Sequence, residues 1–345
     1  MMNGRTGSLV ALVLMIAAAP ARPQWLNYPT PGIPRTPDGK PDLSAPAPRT
    51  ADGKPDLSGL WRLDESATGG NPMAAIKAQP WANDLANKHR DEFAKDSPQL
   101  LCLPLGPQVG LTVRKVVQTP GLIVLLYDSL IYRQVFLDGR PLEQDPNPAF
   151  MGYSVGHWEG DTLVIESNGF NDRTWLGAGY PHTEALHVTE RLRRTDFGHM
   201  ELERTYIDPK TLTEPLEVKI KLELDADTEM LEFVCNENEK DRQHIVGKVS
   251  DFQKNEVAVA REILARYAGT YVFGPNQRNA FGPTITISLE NGRLMFETRL
   301  TGKQPMTALS ETRFVAQFGN IEFATDASYL TATIPEGDFK AERQR

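Results

Sequence analysis

Between Leu216 and Leu224 the chain alternates without a break. Leu216, Val218, Ile220, Leu222 and Leu224 fall on one side, and Glu217, Lys219, Lys221 and Glu223 on the other. A period of two marks a strand with one face in a core and one in water. The same period runs from Val113 to about Cys235. Hairpins are expected around Glu159-Gly160-Asp161 and around Arg194–Gly198, and Asp225-Ala226-Asp227 turns the chain into a further strand, MLEFVC. With LIVLLYD and LIYRQVFL the count reaches about eight strands joined mostly by short turns, a number that closes easily into a barrel. Helical spacing occurs twice. Trp81, Leu85, His89 and Phe93 recur every four residues in a predicted helix over Trp81–Lys95, where His89 reads as a packed core histidine. Val257, Ala260, Leu264 and Tyr267 mark a second, over Asn255–Tyr267. It leads into the short strands TITISLE, RLMFETR, TRFVAQF and NIEFATD, with Glu290-Asn291-Gly292 as a hairpin turn.

The fold class is therefore mainly β: an antiparallel, lipocalin-like barrel or curled meander, followed by a small C-terminal β domain. The expected organisation is a signal peptide over 1–21, a Pro-rich arm over 22–62, a barrel domain with an N-terminal helix over 63–250, and a helix plus small β domain over 251–345. The arm carries a near-perfect repeat, RTPDGKPDLS (Arg35–Ser44) and RTADGKPDLS (Arg49–Ser58). Asp-Gly turns the chain and Lys-Pro extends it, so each copy reads as part of an arm strapped along a domain. Leu60 and Trp61 anchor its end.

Composition narrows the function only modestly. The 345 residues are 40% hydrophobic and 24% charged, with a net charge of −8, and no Lys/Arg-dense face suggests a nucleic-acid partner. Arg5, the apolar run SLVALVLMIAAA and Ala19-Pro20-Ala21 form a secretory signal, too short to span a bilayer. The expected location is the periplasm or the exterior, with no transmembrane segment in the mature chain. In such a compartment Cys102 and Cys235 are expected to form a disulfide rather than stay as two buried thiols.

Gly152-Tyr153-Ser154-Val155-Gly156 spells the G-x-S-x-G of a nucleophile elbow. That motif needs a helix after the serine, and here a hairpin follows. No other catalytic or phosphate-binding signature is present, and no cofactor is expected. His182 and His187, five apart, would lie on opposite faces of a strand and could not share a metal. Candidate chemistry comes instead from strand parity. Pairing across a Glu159–Asp161 turn puts Tyr153, Val155 and His157 on one face with Leu163 and Ile165. Glu190 and Arg204 become diagonal neighbours on an apolar face, and Cys235 and Glu237 share the side of Leu231 and Phe233. Glu190 and Arg204 are either a structural ion pair or, with His157, part of a ligand cavity. His157 and Glu190 could then move a proton. The loop NGFNDRTWLGAGYPHTE supplies Trp175, Tyr180 and His182 as a lid, or is a surface loop pinned by Trp175. The candidate ligand-binding set is thus Tyr153, His157, Trp175, His182, Glu190 and Arg204, with His157 and Glu190 as the candidate catalytic pair. The expected function is binding of a small, partly apolar molecule. The alternatives are a cofactor-independent hydrolase, isomerase or lyase, and a structural envelope protein.

The segments TPDGKPDLSGLW, LCLPLGP, YRQVFLDGR, GHWEGDTLVIESNGFNDRTW, PHTEALHVTERLRR and VCNENEKD together resemble a family of exported, functionally uncharacterised proteins abundant in soil bacteria. The resemblance covers residues 36 to about 244 and implies no catalytic residues. The C-terminal LARYAGTYVF and ALSETRFVAQFGNIEFATD look like the small β module appended to some serine β-lactamase-like hydrolases. With S-x-x-K missing, this implies an accessory module without hydrolase activity.

Overall fold

The computed structural model describes residues 29–64, 76–108, 113–127, 131–237, 248, 251, 254, 256–274, 283–298, 302–316, 319–334 and 337–344. The expected signal peptide, 1–21, lies outside them. Eleven strands belong to the first part of the chain: β1 (Gly59–Leu63), β2 (Lys115–Thr119), β3 (Leu122–Leu126), β4 (Tyr132–Phe136), β5 (Tyr153–Glu159), β6 (Thr162–Asn168), β7 (Trp175–Gly177), β8 (Tyr180–Pro181), β9 (His187–Arg194), β10 (His199–Ile207) and β11 (Leu216–Leu224). Nine of them close a barrel in the order β1-β11-β10-β9-β6-β5-β4-β3-β2, and β7 and β8 form a separate hairpin. A ring with an odd number of strands cannot be antiparallel throughout. The one parallel contact is β4 with β5, at Phe136 and Val155. Residues 59–62, expected at the end of the arm, belong to the strand that closes this ring against both β2 and β11.

Three sequence expectations are corrected here. The β5–β6 turn contains two residues, not three: Glu159 pairs with Thr162 and His157 with Val164. A one-residue slip in register turns every side chain to the other face. The inner face of β5 therefore carries Ser154, Gly156 and Trp158, opposite Ser167, Ile165 and Leu163, while Tyr153, Val155 and His157 face outward. The segment expected as the strand MLEFVC is instead irregular, with Leu231 and Phe233 exposed, and ends in a short 3-10 turn at Cys235–Glu237. The first helix, α1, spans Pro80–Asp91 and buries Ala82 and Ala86 rather than Trp81, which is exposed. Phe93 and Ala94 stop it by taking positive φ.

The two copies of the repeat adopt the same compact turn. In each, the threonine N–H bonds the lysine carbonyl and the Gly N–H bonds the threonine carbonyl. Each leading arginine then grips a turn of the barrel: Arg35 holds Asp227 and Arg49 holds Asp161 through a two-pronged contact of 3.0 and 2.6 Å. Near the end of the second copy, Leu57 is fully buried and its carbonyl accepts a hydrogen bond from the Trp61 ring at 3.1 Å. Arg194 lies over the Trp61 and Phe197 rings, 5.0 Å from each centroid, and donates to the Asp56 carbonyl. The arm thus plugs one end of the barrel.

The second part contains α2 (Arg261–Tyr267) and β12–β20: Gly269–Phe273, Thr284–Glu290, Arg293–Thr298, Gly302–Pro305, Thr307–Ala308, Arg313–Ala316, Gly319–Phe323, Tyr329–Ile334 and Gly337–Arg343. These strands form one antiparallel sheet whose two edges, β15 and β16, are joined through the single residue Met306, so the sheet curls almost closed. Its core is aromatic, with Tyr267 stacked on Phe323 at 4.2 Å and Phe314 edge-on to both. Among the described residues no helix is long and apolar enough to cross a membrane. Cys102 and Cys235 are bonded as a disulfide.

Candidate functional site

Away from the plugged end, the barrel core changes from apolar to charged. On β9 the inward residues are Val188, Glu190, Leu192 and Arg194; on β10 they are Met200, Leu202, Arg204 and Tyr206. The two strands pair with Glu190 directly opposite Arg204, closer than the expected diagonal, and Arg204 Nε donates to Glu190 Oε1 at 2.7 Å. A second arginine, Arg133 of β4, reaches Glu190 Oε2 from across the barrel. All three side chains are nearly inaccessible, at 2% exposure for Glu190, 6% for Arg204 and 8% for Arg133. Tyr127, at the end of β3, and Tyr206 pack beside them, both fully buried.

The charge state follows from the surroundings. Burial alone would push the Glu190 carboxyl up, but the charges of Arg133 and Arg204 outweigh it and hold the group down at about 2. Burial pushes the Tyr206 hydroxyl up to about 12 and raises that of Tyr127 as well, so both stay neutral. Arg133 Nε is buried and has no hydrogen-bond partner. The Arg133 side chain lines a small cleft, partly open to solvent, with room for about one water molecule at depth. Gly106, Pro107 and Gln108 roof the cleft, and Phe170 and Val188 give it apolar walls. Gly106 has φ +63°, and a Cβ there would sit 2.4 Å from Thr174 Oγ1, so only glycine lets the roof approach this closely.

Of the expected site residues, Glu190 and Arg204 come together and His182 stands near them. His182 is buried beside Phe170, ring centroids 6.3 Å apart. Its Nδ1 faces the Thr183 carbonyl and so carries the proton, leaving Nε2 to accept from Thr174 Oγ1 at 2.6 Å. Burial lowers its pKa, which keeps it neutral. Trp175 stacks on His89 at 4.3 Å, and Tyr180 donates to Asn83 at 3.2 Å, so the β7–β8 hairpin is pinned to α1. His157 is 56% exposed on the outer face, 3.4 Å from Glu159, and Tyr153 lies outside beside Phe136. The proposed proton-transfer pair is thus corrected: His157 and Glu190 sit on opposite sides of the barrel wall. The Ser154 hydroxyl is buried against that of Ser167 at 2.8 Å, with no histidine partner. Among the described residues no group of three or more His, Cys, Asp or Glu is placed to hold a metal.

Arg133, Tyr127 and Tyr206 escaped the sequence reading, although strand parity carries the signal for each. Arg133 shares its face with Val135, Tyr127 with Ile123 and Leu125, and Tyr206 with Arg204 and Leu202. Comparison with protein-family models, with curated proteins and with solved structures returns no match.

Proposed function

We propose that the first barrel binds a small, partly apolar molecule in the cleft between Gly106–Gln108 and the Arg133–Glu190–Arg204 layer. The observation that carries this is a buried charged layer facing a cleft with apolar walls. Ligand sites usually combine a few placed polar groups with apolar surface. With room for about one water molecule at depth, the cleft suits only a small molecule seated at its open side. The protein acts in this reading as an exported member of the family that its motifs resemble, in the periplasm or outside the cell; the Cys102–Cys235 disulfide supports an oxidising location. A catalytic role draws no support, since the acid–base pair expected for it is separated by the barrel wall.

The filled interior favours a second reading, in which the charged layer is architecture alone. Native mass spectrometry of the purified protein, followed by thermal unfolding with panels of small acids, amides and alcohols, separates the two. Binding predicts a retained small molecule or a ligand-induced rise in melting temperature. A chain that carries nothing and responds to no member of the panels is a structural protein.

A further inference from the structure

In the second barrel, β13 and β14 pair with Glu290 opposite Arg293, so Asn291 and Gly292 alone form the hairpin tip. Both have positive φ, 49° and 78°, as a type I′ turn requires. An asparagine followed by glycine can close on itself, because the glycine nitrogen can attack the side-chain amide carbon. The attack needs a free carboxamide, a free main-chain N–H and room for the two to meet. Asn291 and Gly292 are both exposed. Among the described residues neither the Asn291 side chain nor the Gly292 N–H has a hydrogen-bond partner. Nothing lies within 4 Å of the point that a Cβ on Gly292 would occupy.

A second Asn-Gly pair among the described residues, Asn168-Gly169, is held quite differently. Asn168 ends β6 opposite Tyr153, and its Nδ2 donates to the Glu143 carbonyl at 2.7 Å. Gly169 packs on Pro146, whose Cγ lies 2.4 Å from where a Cβ would stand. The Asp-Gly turns differ in chemistry. Asp38, Asp52 and Asp138 accept hydrogen bonds from Thr36, Thr50 and Arg140, and an ionised carboxylate offers no neutral leaving group.

We infer that Asn291 is a site of spontaneous modification in the native fold, with water as its co-reactant. The step balances without an oxidant or a reductant. A bond forms between Gly292 N and Asn291 Cγ, the bond from Cγ to the side-chain nitrogen breaks, and ammonia leaves with the proton from Gly292. Water then opens the cyclic imide. Opening at Cγ gives aspartate, and opening at the main-chain carbonyl carbon gives isoaspartate, which routes the chain through the side chain. Either product adds a negative charge beside Glu290. Isoaspartate also adds a backbone carbon to a turn whose register depends on two residues. The tip belongs to the second barrel, so its modification is independent of ligand binding in the first.

The test is peptide mapping of the full chain after storage at pH 8, in native buffer and in parallel in urea. In the native protein Asn291 should be converted to aspartate and isoaspartate, the latter read by enzymatic methyl esterification, while Asn168 stays intact. In urea both should convert, because unfolding removes the contacts that hold Asn168. Isoelectric focusing gives a second measure, an acidic band that the stored wild type acquires and Asn291→Gln does not. An Asn291 that stays intact in the native fold overturns the inference, whatever happens in urea. Equal conversion of Asn168 and Asn291 in the native protein also overturns it, since the fold then selects neither. Aspartate without isoaspartate overturns the ring-closure route. An acidic band that forms equally in Asn291→Gln places the modification elsewhere. Should Asn291→Gln fail to fold, the wild-type maps decide alone.

Discussion

Glu190 is the residue on which the barrel's interior turns. It holds two arginines, and without its charge both would repel each other out of water. Glu190→Gln is expected to cost about 3 to 5 kcal/mol, the range for breaking a buried ion pair from one side. The pH dependence follows in sign. The carboxyl titrates at about 2 in the fold against an ordinary 4.5, so its stabilisation is complete above 4.5 and is lost as pH falls from there towards 2. Urea unfolding from pH 6 down to pH 2 should show this decline in the wild type and a flatter curve in Glu190→Gln. Replacing Glu190 and Arg204 together by leucine should not restore stability, because Arg133 is left buried alone; replacing all three should. Two of the three residues of this layer were legible in the sequence. Glu190 and Arg204 stand out as charged residues on an apolar strand face, whereas Arg133 lies in a five-residue strand too short to show its face clearly.

At the level of elements, the arm and the β5–β6 hairpin teach different things. The arm holds the barrel in two ways, by exposed arginine forks on Asp161 and Asp227 and by burial of Leu57 and Trp61. Exposed ion pairs contribute little in water, whereas a buried leucine cut to alanine costs roughly 2 to 5 kcal/mol. Leu57→Ala should therefore lower the denaturation midpoint well beyond Arg35→Ala or Arg49→Ala, each of which should leave it close to that of wild type. Larger effects from the arginines would make the forks, and not the plug, the attachment. In the hairpin, both strands were evident from their alternation, but their register was not. Gly160 at φ +60° allows a two-residue turn where Glu159-Gly160-Asp161 had suggested three, and that single residue moved His157 from the cavity to the solvent.

Over the whole molecule, the disulfide ties the segment before β2 to the segment after β11, 133 residues apart. On the chain-entropy account a loop of this length is worth about 5 kcal/mol. Cys102 stands four positions before Gly106, so the same bond also anchors the roof of the cleft. Reduction is accordingly expected to lower the melting temperature and to weaken binding of any small molecule retained in the cleft more than it disturbs far-ultraviolet circular dichroism. Binding unchanged in the reduced, folded protein would show that the roof is held by Gly106 and Thr174 packing alone.

The sequence by itself determined the β character of the chain, the place of most hairpins, the division into two β units and the cysteine pairing, since each depends on local period, turn chemistry or a count of two. Only the tertiary structure decided which strands meet. It set the parallel β4–β5 contact that lets nine strands close, the arrival of Arg133 from across the barrel, and the attachment of each repeat to a different turn. Such choices lie in long-range pairing, where a shift of one residue reverses which side chains face the core. No local pattern encodes that shift.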